Sequence, residues 1–111
     1  MPKINKSYVY LIQDTDKENT YKIGVTKNIV KYRKDELQTG NSSELSIVNT
    51  FQTEHPYKIE AFLHRKHKEK RIMNEWFLLE DEDVNSFIKD CEMYEGIIRS
   101  LENNPYFSPV E

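Results

Sequence analysis

Residues 7–24, S-Y-V-Y-L-I-Q-D-T-D-K-E-N-T-Y-K-I-G, decide the fold that we predict for this chain. Two runs of strand-forming residues, 8–12 and 20–23, flank a polar segment rich in Asp, Asn and Thr. This pattern is typical of a β-hairpin whose two strands are joined by a polar turn. Gly24 closes the second run, and the residues after it have the pattern of a helix.

The first predicted strand carries tyrosines on one of its two faces. Because side chains alternate along a strand, Tyr8, Tyr10 and Ile12 share one face, and Val9 and Leu11 share the other. A row of phenols is either the half-buried surface that tyrosine favours in strands or part of a polar site. The pattern of this strand alone leaves both interpretations open.

The composition indicates a small intracellular protein. The 111 residues suit one domain, which we expect over 1–111, with a core at 7–90 and an acidic segment at 81–111. No apolar run is long enough to span a membrane, and the first six residues lack the apolar part of a secretory signal. Cys91 is the only cysteine, so an intrachain disulfide and a cysteine zinc site are excluded. We therefore expect a cytoplasmic protein.

The two parts of the chain differ in charge. Residues 1–74 hold 14 Lys and Arg against 9 Asp and Glu, whereas residues 75–111 hold 2 against 10. A basic body with an acidic carboxyl-terminal segment is compatible with polyanion binding on one side of the molecule.

The remaining segments predict an α+β fold. A helix over 29–38, with Thr26 or Asn28 as its N-cap, precedes a strand over 45–53. A second helix runs from Pro56 to His67, a short strand covers 75–79, and Asp81 is the N-cap of the last helix. The predicted order is β-β-α-β-α-β-α. We expect a small three-stranded sheet, mixed or antiparallel, flanked by helices and extended by the short fourth strand.

Polar side chains on the first two predicted helices are candidates for a site. Arg33 is spaced to lie on the apolar side of its helix, where it needs a ligand or a local carboxylate as partner. Glu60, His64 and His67 fall at i, i+4 and i+7, a spacing that suits either a metal-binding site or the polar face of a surface helix. The basic run 66–71 is either a phosphate-binding patch or a solvated helix end.

Several short motifs follow one another between residues 7 and 90 in an order that resembles the GIY-YIG endonuclease superfamily. The resemblance is greatest to its compact phage and large-virus branch, which carries Y-K-I-G as the second motif. It rests on residues 8–10 (Y-V-Y), 21–24 (Y-K-I-G), Arg33, 37–40 (L-Q-T-G), 60–64 (E-A-F-L-H) and 74–77 (N-E-W-F).

The resemblance implies a metal-dependent endonuclease that acts on DNA or, as the less favoured substrate, RNA. The first-motif tyrosine matches Tyr10, which would deprotonate or orient the attacking water. The arginine matches Arg33, and the glutamate that holds one Mg²⁺ or Mn²⁺ matches Glu60. The second-motif tyrosine falls at Lys22, which would serve as the partner of Tyr10. Further candidates are Tyr8 and Tyr21 for catalysis, and Lys27, Lys31, Lys34, His64 and Arg71 for nucleic-acid binding.

Three departures from the family pattern keep other functions open. Tyr8 replaces the glycine of the first motif, and Lys22 replaces the tyrosine of the second. The asparagine expected after the glutamate helix has no clear match, although Asn74 lies in the right part of the chain. A nucleic-acid-binding module with little or no catalysis is one alternative, and a protein-interaction domain is another. We expect a monomer or homodimer without membrane association, and a host-cell location if the protein is viral.

Overall fold

The structure is a computed structural model that describes residues 7–103. The prediction for the first six residues and residues 104–111 of the predicted acidic segment therefore lie outside the described residues. The strands are β1 (Tyr8–Asp14), β2 (Thr20–Thr26), β3 (Leu45–Gln52), β4 (Arg71–Met73) and β5 (Trp76–Leu78). The helices are α1 (Val30–Thr39), α2 (Pro56–Lys66), α3 (Asp81–Asn85) and α4 (Phe87–Glu102), with one 3₁₀ turn at Lys68–Lys70.

The described strands form one sheet in the order β3-β1-β2-β5-β4, with all neighbours antiparallel. The predicted hairpin and α+β class are confirmed, but the sheet has five strands where three with a short fourth were predicted. The short strand predicted at 75–79 is β5. The additional strand β4 begins at the last residue of the basic run, and Asn74 lies between it and β5 with a φ of 54°, a left-handed conformation that Asn tolerates. The three residues of β4 are too few to show the alternation that marks a strand in sequence.

The helix boundaries differ from the predicted ones at two places. Ile29, not Thr26 or Asn28, is the N-cap of α1, and the Asn28 side chain instead accepts a bond from the amide of Ile29. The last predicted helix is divided at Ser86 into α3 and α4, and Glu80 rather than Asp81 precedes the first turn of α3.

The two faces of the sheet bury separate apolar clusters, as the alternation in β1 predicted. Val9 and Leu11 pack with α2 and α4, and Tyr10 and Ile12 pack with Val30 of α1. Cys91 is buried in the first cluster, and this burial raises the pKa of its thiol to about 12, so the thiol stays protonated near neutral pH. Between residues 7 and 103, no helix is both long and apolar enough to cross a membrane.

Candidate active site

The site begins with the contact between Tyr10 on β1 and Gly24 on β2. The two residues face each other in the antiparallel register, and Tyr10 is fully buried. An ideal Cβ built on Gly24 would lie within 3.0 Å of three atoms of the Tyr10 phenol. The glycine of the Y-K-I-G motif is therefore needed because the phenol lies across its backbone, not because of a positive φ.

The hydroxyl of Tyr10 has no hydrogen-bond partner among the described residues. Burial raises the pKa of this phenol, and the guanidinium of Arg33 on α1 partly offsets that effect. The phenol in turn raises the pKa of Arg33. Arg33 is half-buried and its Nη1 is 3.5 Å from Oε1 of Glu36. The interpretation of Arg33 as an arginine with a local carboxylate is confirmed, and the interpretation that it binds a ligand stays a prediction.

Lys22 lies two residues before Gly24 on β2, and its side chain is buried against the β4–β5 hairpin. Its Nζ donates a 2.9 Å hydrogen bond to Oε1 of Glu75 and lies 5.8 Å from the centre of the Trp76 ring. The backbone amide of Ile23 also donates to the carbonyl of Glu75 at 3.1 Å. The turn before β5 therefore holds a carboxylate against the ammonium of Lys22.

Glu60 on α2 supplies a second carboxylate. Its side chain is 15% exposed, and its Oε2 is buried without a hydrogen-bond partner among residues 7–103. Burial first, and then the negative charge of Glu75, raise the pKa of Glu60 to about 7, while Lys22 acts in the opposite direction. A carboxylate that is costly to ionise and has a free oxygen is one that a cation would stabilise.

His64, one turn after Glu60 on α2, is fixed by the backbone of β2. Its Nε2 is 2.9 Å from the carbonyl oxygen of Ile23, and since a carbonyl only accepts, this nitrogen carries the proton. The imidazole also packs 5.0 Å from the ring of Phe77. Nε2 lies 3.8 Å from Oε2 of Glu60, which is too long for a hydrogen bond.

These side chains come together from separate elements of the fold. β1 gives the neutral phenol of Tyr10, β2 and α1 give the cations Lys22 and Arg33, and α2 gives the carboxylate of Glu60. Such a set can bind a phosphate through its cations, hold a divalent ion through Glu60 and orient a water through the phenol. Within the described part of the chain, no three His, Cys, Asp or Glu form a metal-binding cluster. A cation at Glu60 would therefore need water or phosphate oxygens as further ligands.

Comparison with known proteins places the chain in a family. The model of the T5orf172 domain matches residues 7–92, which include every residue of this site. The chain belongs to the T5orf172 domain family.

A relative of this T5orf172 domain occurs in a virus. Over 88 residues, the chain is 35% identical to "Uncharacterized protein 460R" of Invertebrate iridescent virus 6. The aligned region covers 75% of the chain but only 38% of the viral protein. No solved structure is significantly similar to the chain.

Three of the predicted site residues lie outside this group in the T5orf172 domain. Tyr21 packs in the core on the α2 and α4 side of the sheet, opposite to Tyr10, because neighbouring residues of a strand face opposite ways. Tyr8 packs beside the cluster that contains Tyr10 and is only partly buried. His67 is buried, with its Nδ1 3.9 Å from Oδ1 of Asp83. Because no three such residues cluster in the described part of the chain, the interpretation of Glu60, His64 and His67 as a joint metal-binding site is wrong.

The predicted nucleic-acid contacts divide into two groups. Lys27 and Lys31 are exposed, and Lys34 is half-buried beside Asp35 on the same helix as Arg33. His64 instead makes the interior contacts described above. Arg71 is exposed on the edge strand β4, where its Nε donates to the carbonyl of Asn74 and supports the turn before Glu75.

The acidic carboxyl-terminal helices neutralise part of the basic run. Lys66 donates to Asp90 of α4, and Lys70 donates to Asp83 of α3 at 2.6 Å. The burial of His67 lowers its pKa, so this side chain adds little charge near neutral pH. The interpretation of residues 66–71 as a continuous phosphate-binding patch is therefore not supported.

Glu75 was not predicted as a site residue, although it belongs to the motif at 74–77. The antiparallel register pairs Lys22 with Trp76, and this places the preceding Glu75 beside the ammonium. The spacing of 53 residues between Lys22 and Glu75 carries no signal of contact. An unexplained acidic residue directly before an aromatic strand was the one indication available.

Proposed function

We propose that this T5orf172 domain is a GIY-YIG-like endonuclease that hydrolyses phosphodiester bonds in DNA with one bound Mg²⁺ or Mn²⁺. The observation that supports it most is the buried, partnerless Oε2 of Glu60 in a group that also holds Tyr10, Lys22 and Arg33. RNA, whose backbone has the same phosphodiester chemistry, is the less favoured substrate.

The residues at Glu60 fit a hard divalent cation. Mg²⁺ is commonly held by one or two carboxylates together with waters and phosphate oxygens, and Glu60 has an oxygen available for such a bond. The chemistry that the ion supplies when bound is polarisation of the phosphate and stabilisation of the leaving oxygen. The half-exposed Glu75 adds negative charge beside the same position.

The remaining groups bind phosphate and place the water. The Arg33 guanidinium would neutralise charge that develops on the phosphate oxygens. Burial keeps the Tyr10 phenol protonated near neutral pH. Its oxygen is therefore better suited to accept a hydrogen bond from the attacking water than to take the proton as a base. Lys22 would hold a phosphate oxygen or support Tyr10 from the next strand.

A DNA-binding module without turnover is the second candidate. The observation that favours it is the ion pair of Lys22 with Glu75. Lys22 stands where the GIY-YIG superfamily has a tyrosine, and its ammonium is already bound to a carboxylate. This alternative predicts binding that weakens with salt but no cleavage that depends on metal.

The test is nicking of supercoiled plasmid DNA with Mg²⁺, with Mn²⁺ and with EDTA. We expect nicking in both metals, none in EDTA, and a loss of at least 100-fold in the Glu60→Gln variant, which keeps the side-chain size but cannot carry charge. The matched control is Glu69→Gln, since Glu69 is an exposed carboxylate just beyond α2.

Each alternative result has a defined meaning. Nicking that persists equally in Glu60→Gln would show that Glu60 is not at the reaction centre. Wild-type binding to DNA without nicking under any condition would support the binding module. A protein that neither binds nor cuts would exclude both candidates.

A further inference from the structure

One end of the site continues into an exposed surface that the catalytic assignment does not use. β5 pairs with β2 only over Thr20–Lys22, and no other described strand pairs with the outer edge of β2 beyond Ile23. This edge leads from Gly24 at the site to Lys27 in the connection to α1. This unpaired strand edge forms a path along the sheet from the candidate reaction centre to the exposed Lys27.

Tyr57 lies beside this path on the same helix as Glu60. The two residues are three positions apart on α2, so their side chains lie on one side of the helix, with Cβ atoms about 5–6 Å apart. Tyr57 is 58% exposed, whereas Glu60 is mostly buried. The ring of Tyr57 is thus presented to solvent one turn of helix away from the candidate metal ligand.

Lys27 completes this surface by placing a cation against the exposed ring. Its Nζ is 6.0 Å from the centre of the Tyr57 ring. Lys27 is exposed and has no carboxylate partner among the described residues. An exposed aromatic ring with a neighbouring cation can accept a base on the ring and a phosphate on the ammonium.

We propose that Tyr57 and Lys27 bind one unpaired nucleotide next to the scissile phosphate. The preferred substrate would then be nucleic acid with single-stranded character at the cut. This inference rests on the proposed function and names its substrate class. A base inside a duplex is stacked on both faces and cannot lie on the tyrosine ring, so only an unpaired or extruded base fits. In this proposal the scissile phosphate lies at Arg33 and Glu60, and the adjacent nucleotide lies on Tyr57.

The test measures binding in EDTA, where no metal-dependent cleavage can occur. Fluorescence anisotropy compares a labelled 12-nucleotide oligothymidylate with a blunt duplex of the same length. The Tyr57→Ala variant should lose roughly 5- to 100-fold in affinity for the single strand, as expected for one lost stacking contact, and less than about twofold for the duplex. Tyr57→Phe, which keeps the ring, should stay within about twofold of wild type on both.

Met93 offers a matched control, because it is another exposed apolar side chain but lies on α4. Its replacement by Ala should leave both affinities unchanged. Equal affinity of Tyr57→Ala and wild type for the single strand, or an equal loss on single strand and duplex, would overturn the inference. Neither result would affect metal-dependent nicking, on which the proposed function depends. Absence of binding to either DNA would overturn the inference, whereas the proposed function would still be decided by metal-dependent nicking.

Discussion

Gly24 has no side chain, and the Tyr10 phenol fills the space that a Cβ at this position would take. The phenol lies across the Gly24 backbone, and its hydroxyl is left without a partner beside Arg33. An unsatisfied buried hydroxyl costs free energy, and this one supports the proposed role of Tyr10 in placing a water. The Y-K-I-G motif could be found in the sequence, but the reason for its glycine depends on a strand register that the sequence does not show.

The Gly24→Ala variant should lose stability because its Cβ would overlap the Tyr10 phenol. We expect a decrease of roughly 1–3 kcal/mol in the free energy of unfolding, the usual cost of overpacking a buried position. Gly40→Ala is the control, since nothing lies within 4 Å of a Cβ at that position. Urea denaturation measures both, and equal stability of the two variants would show that Tyr10 can move aside without cost.

Glu60 should make the stability of the metal-free protein depend on pH. Its pKa of about 7 in the folded state lies above the ordinary value of 4.5, so between these pH values the folded state holds a proton that the unfolded state has lost. The stability contributed by the protonated form is therefore lost as pH rises towards 7, by roughly 3 kcal/mol in total.

The variant Glu60→Gln tests this dependence in EDTA. It should match the wild type near pH 4.5 and be more stable than the wild type at pH 8, because the amide is never charged. Urea denaturation at the two pH values measures the difference. If the free energies of unfolding of wild type and Glu60→Gln differed by the same amount at pH 4.5 and at pH 8, Glu60 would ionise as an exposed carboxylate does.

At the scale of elements, segments rich in strand formers or with a helical period could be predicted, and β4 could not. The β1–β2 hairpin, strands β3 and β5 and helix α2 were found in this way, although β1 and β2 are longer than the runs 8–12 and 20–23 that indicated them. Strand β4 was missed because three residues carry no period. The contact of Glu75 with Lys22 was not predicted for the same reason, because the β4–β5 hairpin brings Glu75 to β2.

The pairing of this hairpin with β2 should depend on the ion pair between Lys22 and Glu75. Lys22→Met leaves Glu75 and Glu60 as neighbouring carboxylates without their shared cation, and we expect a loss of roughly 1–2 kcal/mol at pH 8. The double variant Lys22→Met with Glu75→Gln should recover part of this loss. Lys31→Met, at an exposed position, is the control. Strictly additive effects of the two substitutions would show that the pair does not couple.

At the scale of the whole molecule, the division of charge along the chain becomes a contact between two regions. The basic run after α2 faces the acidic helices α3 and α4 through Lys66 with Asp90 and Lys70 with Asp83. The composition showed the imbalance, but only the fold shows that the two charges meet. Lys27 and Lys31, before and on α1, are exposed cations without a carboxylate partner among the described residues, on the side of the sheet that holds Tyr10.

Salt dependence of DNA binding should separate these two groups of cations. Lys31→Ala should reduce the slope of log K against log salt concentration by about one, because one phosphate contact is lost. Lys70→Ala should leave the slope unchanged and lower the stability, because Lys70 is paired with Asp83. Equal slopes for Lys31→Ala and wild type would place the binding surface elsewhere.

The central claim is that Glu60 holds a divalent cation within the group formed by Tyr10, Lys22 and Arg33. The most direct measurement is titration of the purified protein with Mn²⁺ at pH 8, following the free ion by electron paramagnetic resonance. We predict one site per chain in the wild type and in Glu69→Gln, and at least a tenfold weaker site in Glu60→Gln. One site of unchanged affinity in Glu60→Gln, or no site in the wild type, would contradict the account.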